Sequence, residues 1–298
     1  MKLLLTGASG FLGSQMKPIL SQEYDVTSLG KRSDNDIQCD LAKGEPVINV
    51  RYDVVVHAAG KAHVIPRSSE EIAAFYDVNY QGTVNLCKAL ENAGCPKSIV
   101  YISTVAVYGC DSGEGVIEDH PLNGVTPYAK SKIQAEGYLE EWCDAHGVIL
   151  TILRPSLIAG PNPPGNLGSM IKGIEGGRYV SIDGGKARKS VVMAEDVAKF
   201  ALLAVLKGGV YNVCDDDNPS FHELEMVICK HLGKSLPVNI PMWMARCLAW
   251  TGDIIGRRFP FNSNRLAKMT QSLTFSNEKA KRELDWRPMS VLEFFRIR

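Results

Sequence analysis

The chain has 298 residues, of which 45% are hydrophobic and 22% are charged. This balance is typical of a soluble globular protein that buries a large core. Its 33 Lys and Arg residues are matched by 33 Asp and Glu residues, so the formal net charge is zero. A broadly basic surface for nucleic acid is therefore not expected, whereas a local basic pocket for an anionic small molecule stays open.

The eight cysteines form no C-x-x-C pair and show none of the spacings of a zinc site. Several lie inside apolar runs, among them Cys87 and Cys229. The apolar run at the amino terminus has only three residues, which is too short for a signal peptide. We therefore expect free thiols, no metal ligands and a cytoplasmic protein.

The first half of the chain alternates short apolar runs with longer helical patterns. The predicted strands cover residues 2–6, 25–29, 53–58, 98–103 and 148–154, and the predicted helices begin near Phe11 or cover residues 70–93 and 127–146. Strand–helix alternation of this kind predicts an α/β fold with a Rossmann-type, doubly wound parallel sheet.

The character of the chain changes after Arg154. The stretch RPSLIAGPNPPGNLG contains four prolines and three glycines in fifteen residues, which predicts a loop where the chain leaves its first domain. Later helices are predicted at residues 168–175, 195–207, 221–232, 241–255 and 277–285, and strands at 178–182 and 210–214. We predict a first domain at 1–160, to which residues of about 185–215 return, and a smaller mixed α/β domain at 161–298.

The most apolar late segment covers residues 236–256. It contains two prolines and three polar residues, Pro237, Asn239, Pro241, Arg246 and Asp253. A membrane-spanning helix does not contain so many prolines and polar residues, so we expect no membrane partner.

Three glycines follow the first predicted strand, in the sequence TGASGFLG. Gly7, Gly10 and Gly13 permit a tight turn and let backbone N–H groups approach a pyrophosphate. The helix that begins at Phe11 and Leu12 adds the favourable field of its amino terminus. This position predicts that residues 1–160 bind a dinucleotide and that residues 161–298 mainly bind the substrate.

The end of the second strand bears on the type of dinucleotide. An NAD enzyme usually carries an acidic residue there for the ribose 2′-hydroxyl, whereas this chain has Lys31 and Arg32. A basic pair suits a 2′-phosphate, so NADP(H) is favoured, with NAD(H) and a merely solvated turn as alternatives. Asp40 and Leu41 follow the next short strand, in a position to meet the adenine.

Tyr128 and Lys132 are four residues apart on a predicted helix and therefore share one face. A free phenol has a pKa near 10. An ammonium group about 4 Å away contributes roughly 4 kcal/mol at an effective dielectric constant of 20, which lowers the pKa of a phenol by up to about three units. The pair predicts a tyrosine that gives and takes protons near neutral pH, while a chance surface pair is the alternative for this motif alone.

The ordered motifs resemble the extended short-chain dehydrogenase/reductases, and within them the nucleotide-sugar epimerases, dehydratases and 4-ketoreductases. They are TGASGFLG (6–13), HAAG (57–60), DVNYQGTVNL (77–86), STVAVYG (103–109), YAKSK (128–132), AEDVA (194–198) and ELDWRP (283–288). The resemblance implies a catalytic trio of Thr104, Tyr128 and Lys132. It also implies cofactor contacts from Ala58, Ala59, Gly60, Asn79, Ser103, Pro155 and Ser156.

The residues after Thr104 bear on the reaction. Dehydratases of the family carry an Asp-Glu pair there, whereas this chain has Val105 and Ala106, which transfer no protons. Hydride transfer at C4 of a UDP- or dTDP-sugar remains, by a 4-ketoreductase, which the basic turn favours, or by a 4-epimerase. A steroid- or flavonoid-type reductase and a non-enzymatic NADP-sensing module are less favoured alternatives.

The resemblance also implies substrate contacts and a mode of assembly. The candidate substrate-binding residues are Lys61, His63, Asn166, Tyr179, Val180, Arg188, Lys189 and Arg265. For each of these, a surface or loop residue without a ligand is the alternative. Relatives pair as homodimers through four helices, and the helices at 70–93 and 127–146 are the counterparts here.

Overall fold

A computed structural model describes residues 1–256 and 261–297 of the chain. Positions 257–260 and 298 of the predicted second domain lie outside the described residues. The strands are β1 (Lys2–Thr6), β2 (Asp25–Gly30), β3 (Ile37–Gln38), β4 (Val54–His57), β5 (Ser98–Ile102), β6 (Gly113–Val116), β7 (Ile149–Pro155), β8 (Leu157–Ala159), β9 (Val180–Ile182), β10 (Val191–Met193), β11 (Gly209–Val213), β12 (Val238–Ile240) and β13 (Leu273–Phe275). The helices are α1 (Phe11–Leu20), α2 (Ser69–Tyr76), α3 (Gly82–Ala93), α4 (Pro127–His146), α5 (Gly165–Glu175), α6 (Ala194–Ala204), α7 (Phe221–Leu232), α8 (Met242–Ile255), α9 (Ser263–Thr270), α10 (Glu278–Leu284) and α11 (Val291–Ile297).

Seven of the described strands form one parallel sheet in the order β3-β2-β1-β4-β5-β7-β11. The predicted Rossmann-type sheet is therefore confirmed. Strands β1 and β4 consist of short apolar runs that are buried on both faces, as parallel strands between helices must be. The strand order reverses between β1 and β4, which opens a crevice outside their carboxyl ends.

The two faces of the sheet bury alternate residues of the same strands. Leu3 and Leu5 of β1 pack with Met16 of α1 and with α6, whereas Leu4 packs with Leu139 of α4 and with α3 on the opposite face. Full burial of each such leucine contributes about 1.5–3 kcal/mol. This two-sided packing fixes α1 and α4 against the sheet, with their amino-terminal ends near the crevice.

The predicted helix at 70–93 is not uniform. A π-helical turn, Asp77–Gln81, separates α2 from α3. π-Turns inside helices often occur at functional sites, because the wider turn redirects a side chain. Here the turn carries Asn79, whose amide Nδ2 donates to Ser131 Oγ on α4 at 2.9 Å.

The later part of the chain builds a second lobe beside the sheet. Its short strands pair in parallel as β8 with β10, β9 with β12 and β6 with β13. Helices α5, α7 and α11 pack with β8 and β10, while α8 and α9 pack with β9. Strand β11 and helix α6 return to the main sheet. The boundary at residue 160 stays a prediction.

The cysteines occur as free thiols. Burial raises the pKa of the Cys143 thiol to about 12, so its reactive thiolate is rare at neutral pH. Within residues 1–256 and 261–297, no group of three or more His, Cys, Asp and Glu side chains is placed to hold a metal ion. Over the same residues, no helix combines the length and apolar character needed to cross a lipid bilayer.

A buried ion pair ties α4 to β7 beneath the crevice. Arg154 Nη2 lies 2.6 Å from Glu136 Oε2, and the two side chains are only 5% and 2% exposed. Arg154 also donates to the Tyr108 hydroxyl at 3.1 Å, and the Ser103 hydroxyl donates to Glu136. Both charges are buried away from water, so each needs the opposite charge of its partner to offset the loss of hydration.

Replacing Arg154 with Met should lower the free energy of unfolding by about 3–5 kcal/mol, because it leaves the Glu136 carboxylate buried without its partner. Lys97→Met is the matched control, since Lys97 pairs with Asp53 at 3.1 Å on an exposed surface and such pairs contribute about 0–1 kcal/mol. Urea denaturation of both variants measures the difference. Equal, small losses would contradict a structural role for the buried pair.

Candidate active site

The glycine loop between β1 and α1 requires glycine at two positions. Gly7 has a φ of +73°, and a Cβ atom there would lie 2.7 Å from the backbone nitrogen of Ala59. A Cβ atom on Gly13 would overlap the carbonyl oxygen of Gly7. These close approaches bring the first turn of α1 against the crevice. No side chain caps the amino terminus of α1, so the N–H groups that follow Gly10, from Phe11 onwards, remain available to an anion.

A cavity of about 390 Å³ adjoins this loop. It is lined by Ala8, Ser9, Ser14, Lys17, Pro18, Ser28, Arg32, Asp34 and Asn35. The predicted basic pair separates here, because Arg32 lines the cavity whereas Lys31 Nζ binds Asp40 Oδ1 at 3.1 Å. Leu41, the residue after Asp40, is buried, and its carbonyl accepts a hydrogen bond from the Asn85 side chain at 2.7 Å.

The loop after β4 faces the glycine loop and is held by three hydrogen bonds, one to Thr6 and two to Asn79. The backbone N–H of Ala59, next to Ala58, donates to Thr6 Oγ1 at 3.1 Å. Asn79 accepts from the N–H of Lys61 at 2.7 Å and donates to its carbonyl at 3.1 Å. Asn79 therefore fixes this loop against α4, and its contact with a cofactor stays a prediction.

His57, the last residue of β4, links three elements as a neutral side chain. Its Nδ1 accepts from Thr6 Oγ1 at 2.6 Å, because Thr6 Oγ1 itself accepts from Ala59 and has one proton to give. Its Nε2 donates to Thr83 Oγ1 at 2.9 Å, since the Thr83 proton goes to the Asn79 carbonyl. Burial, and to a lesser extent the charge of Lys132, lower the pKa of His57 to about 3.

The three predicted catalytic residues converge at the carboxyl end of β5. Thr104 precedes a short 3₁₀ segment, Val105–Tyr108, and its hydroxyl accepts from the N–H of Ala106 at 3.2 Å. The Thr126 hydroxyl caps α4 at 3.1 Å, which places Tyr128 in the first helical turn, close enough to Thr104 for the Thr104 hydroxyl to lower the pKa of the phenol.

Lys132 lies one turn beyond Tyr128 and is buried. Its Nζ donates to the Ile102 carbonyl at 2.7 Å and lies 4.5 Å from the centre of the Tyr101 ring. A Cβ atom on Gly60 would lie 3.3 Å from this nitrogen, so glycine gives the loop after β4 its close approach to the lysine. The ammonium group is thus held by a carbonyl, an aromatic face and the tight loop.

Burial controls the protonation of this pair. It raises the pKa of Tyr128, and the hydrogen bond with Thr104 only partly opposes it. Burial also lowers the pKa of Lys132 to about 8, against the opposite effect of Glu136. The pKa of Tyr128 in the chain alone is therefore raised, because the loss of hydration is the dominant cause, and the lowering expected from Lys132 stays a prediction.

The end of β7 contributes a buried hydroxyl. Ser156 Oγ is buried and has no hydrogen-bond partner within the described part of the chain. It follows Pro155, the last residue of β7. Ser103, in contrast, directs its hydroxyl to Glu136. A buried hydroxyl without a partner fits a site that a ligand's polar group completes.

These features together fit a nicotinamide dinucleotide. The glycine cradle and the uncapped start of α1 suit a pyrophosphate, Arg32 lines a cavity beside them, and Ser156 offers an unused hydroxyl near the carboxyl ends of the strands.

Some substrate candidates gather near the trio. Lys61 Nζ lies 5.6 Å from the centre of the Phe75 ring, which in turn lies 6.2 Å from the Tyr128 ring. A Cβ atom on Gly165 would lie 2.7 Å from His63 Nδ1, so the loop after β4 meets the start of α5 at exposed Asn166. Lys61 therefore lies near the ring that contacts Tyr128, and His63 lies against the residue that precedes Asn166.

The other predicted substrate-binding residues differ from one another in their contacts and exposure. Arg188 Nη1 pairs with Glu223 at 3.5 Å and donates to the Asn218 carbonyl at 3.1 Å. Tyr179 packs into the core of the second lobe, whereas Val180 is exposed.

Lys189 and Arg265 are the remaining predicted substrate-binding residues. Lys189 is half-buried, and burial lowers its pKa in the neighbourhood of Asp111 and Lys268. Arg265 lies in the first turn of α9, where its N–H donates to the Asn262 side chain at 2.9 Å.

Sequence reasoning missed two residues of the site. Glu136 raises the pKa of Lys132 and binds Arg154, and its position four residues beyond Lys132 was the available signal. Phe75 covers Tyr128 and Lys61, and it lay unnoticed within a regular apolar helical pattern.

The buried His57 predicts a pH dependence of stability. Between about pH 6.5 and pH 3 the unfolded histidine binds a proton that the folded one does not, because its folded pKa is about 3. Its contribution to stability is therefore lost as pH falls through this range. His57→Gln should flatten the plot of unfolding free energy against pH by about one proton, as measured by urea denaturation. Parallel plots for the variant and the original chain would show that His57 is not held neutral.

Comparison with known proteins agrees with this architecture. The model of the NAD dependent epimerase/dehydratase family matches residues 3–214. N-acetyl-alpha-D-glucosaminyl-diphospho-ditrans,octacis-undecaprenol 4-epimerase of Escherichia coli O157:H7 is 29% identical over 297 residues, which cover 93% of this chain and 88% of the relative.

Two solved structures share the fold over nearly the whole chain. UDP-glucose 4-epimerase of Thermus thermophilus in complex with NAD superposes with a TM-score of 0.73 at 22% identity and covers 99% of each chain. RMD from Pseudomonas aeruginosa complexed with NADPH gives a TM-score of 0.75 at 21% identity and covers 99% of this chain and 97% of that one. With the family model covering residues 3–214, this protein belongs to the NAD dependent epimerase/dehydratase family, as its ordered motifs predicted.

Proposed function

We propose that this protein transfers hydride at C4 of a sugar carried on a diphosphate, as an NAD(P)-dependent 4-ketoreductase of UDP- or dTDP-sugars. One observation carries the proposal. Tyr128 lies beside Thr104, with buried Lys132 one helical turn beyond it, next to a crevice that fits a dinucleotide.

The residues divide the work as follows. A nicotinamide dinucleotide, when bound, exchanges hydride with the sugar carbon. The Thr104 hydroxyl holds the oxygen on that carbon, and Tyr128 exchanges the proton with it. Lys132, anchored to the Ile102 carbonyl, stabilises the anionic phenol after the proton has left.

The protonation of Tyr128 fits a reduction step, which a 4-ketoreductase and a 4-epimerase both need. Burial raises its pKa, so the phenol carries its proton at neutral pH. A carbonyl that is being reduced needs a proton donor at its oxygen, and a protonated tyrosine supplies it. Val105 and Ala106 after Thr104 offer no proton-transferring group, which argues against a dehydratase.

NADPH is the proposed reductant, and Arg32 supports it. The guanidinium group is exposed, lines the cavity beside Ser9 and Ser28, and suits a phosphate group through paired N–H donors. Asp34 also lines the cavity, and Lys31 is occupied by Asp40, so the case rests on Arg32.

A 4-epimerase is the second candidate, favoured by the Escherichia coli 4-epimerase that matches 93% of this chain. Such an enzyme uses the same trio in both directions and keeps its dinucleotide bound. That relative is named for a substrate in which the sugar is carried on a lipid diphosphate. The sugar carrier of the present protein is accordingly either a nucleoside diphosphate or a lipid diphosphate.

Purified protein given a UDP-4-keto sugar and NADPH should show falling absorbance at the nicotinamide band. Tyr128→Phe should reduce turnover by roughly 10²–10⁴-fold while NADPH binding is retained, because it removes the proton donor and little else. Tyr138→Phe, on the same helix, is the matched control and should keep full activity.

Two results would count against this proposal. A flat trace together with interconversion of UDP-glucose and UDP-galactose, and NAD that copurifies, would assign the protein to the epimerases. Full activity of Tyr128→Phe would remove the trio from the chemistry altogether.

The cofactor preference has its own test. Arg32→Gln should raise the KM for NADPH roughly 10- to 100-fold, because it removes charge-assisted hydrogen bonds to the 2′-phosphate. The KM for NADH should hardly change. Lys31→Gln is the control and should have a smaller effect, since Lys31 already pairs with Asp40. Equal effects of Arg32→Gln on both cofactors would contradict a 2′-phosphate site.

A further inference from the structure

Helix α8 is oriented with its small residues inward. Ala245, Ala249 and Gly252 are buried against the second lobe, packed with Ile182 of β9 and Leu266 of α9. Helices on globular proteins usually bury their large apolar side chains. In α8 the small residues are buried instead, and most of the large apolar side chains are exposed to solvent.

The outward side of α8 is broad and apolar. Trp243 and Trp250 are 66% and 67% exposed, whereas Trp142 and Trp286 are only 6% and 3% exposed. The exposed large residues of the helix are Trp243, Met244, Leu248, Trp250, Ile254 and Ile255, which we call the α8 face. At 3.6 residues per turn they span about 160° of the helix circumference. Such a contiguous patch marks an interaction surface.

The segment around the α8 face is strongly basic. Residues 226–277 contain seven Lys and Arg residues and a single acid, Asp253, although the whole chain has no net charge. Asp253 is engaged by the backbone N–H and hydroxyl of Ser263. Lys234, Arg246 and Lys268 are exposed on the described part of this segment. The surroundings of the α8 face therefore suit an anionic surface.

An anionic lipid bilayer satisfies both properties. Tryptophan side chains settle at the boundary between headgroups and acyl chains, and Lys and Arg residues bind anionic headgroups. A helix of 14 residues is about 21 Å long, which suits a helix that lies in the plane of the interface. A second copy of the chain would instead bring two basic segments together across a symmetric contact.

We propose that the α8 face docks on the surface of an anionic lipid membrane. The helix lies next to β9 and β12, so docking brings the exposed edge that carries Val180, a candidate substrate contact, to the membrane. This goes beyond the proposed reaction and does not depend on it. The sequence predicts no membrane partner. Under this proposal, that prediction holds only for helices that cross the bilayer.

Sedimentation with lipid vesicles tests the proposal. The full chain should bind vesicles that contain phosphatidylglycerol and should bind phosphatidylcholine vesicles far more weakly, with binding reduced by added salt. Tryptophan emission should shift to shorter wavelength on binding, since Trp142 and Trp286 are already buried. Trp243→Ser with Trp250→Ser should weaken vesicle binding by about tenfold or more.

A matched double variant controls for the loss of exposed apolar surface. Leu203, in the last turn of α6, and Leu206, two residues beyond that helix, are 51% and 54% exposed, so Leu203→Ser with Leu206→Ser should leave vesicle binding unchanged. Failure of the original chain to bind phosphatidylglycerol vesicles would overturn the proposal. So would undiminished binding by the tryptophan variant, or a conversion from dimer to monomer in that variant without vesicle binding, which would assign the α8 face to a second copy. None of these outcomes depends on turnover, so the proposed reaction stands or falls separately.

Discussion

The candidate site depends on one buried cation. Lys132 has been taken out of water and is compensated by the Ile102 carbonyl, the Tyr101 ring and the field of Glu136. Removing a charge from water is costly, and the pKa of Lys132, lowered to about 8, reflects that cost. The arrangement persists because α4 presents Tyr128, Lys132 and Glu136 on one side, one turn apart.

The residues that hold Lys132 in place also connect the main elements of the fold. Arg154 from β7 holds Glu136, and Asn79 from the π-turn holds both α4 and the loop after β4. The same loop packs against the glycine turn after β1. The crevice that fits a dinucleotide and the pair of Tyr128 and Lys132 are therefore parts of one packed unit at the switch point of the sheet.

Local spacing accounts for what the sequence could predict. The glycine turn and the interval between Tyr128 and Lys132 are set by neighbouring residues, and the ordered motifs correctly indicated the family. The pairing of Lys31 with Asp40 depends on how distant segments meet, and so does the raised pKa of Tyr128. The helix at 241–255 was predicted, but its orientation was not, because hydrophobic content does not show which side of α8 faces inward.

The most direct test of this account is the titration of Lys132 itself. In protein labelled with ¹³C-lysine, the side-chain resonance that disappears in Lys132→Met can be followed by NMR as pH rises. We predict a midpoint at about pH 8, well below the ordinary lysine value of 10.5. A midpoint at the ordinary value would mean that Lys132 is hydrated, and the buried cation on which the site depends would not exist.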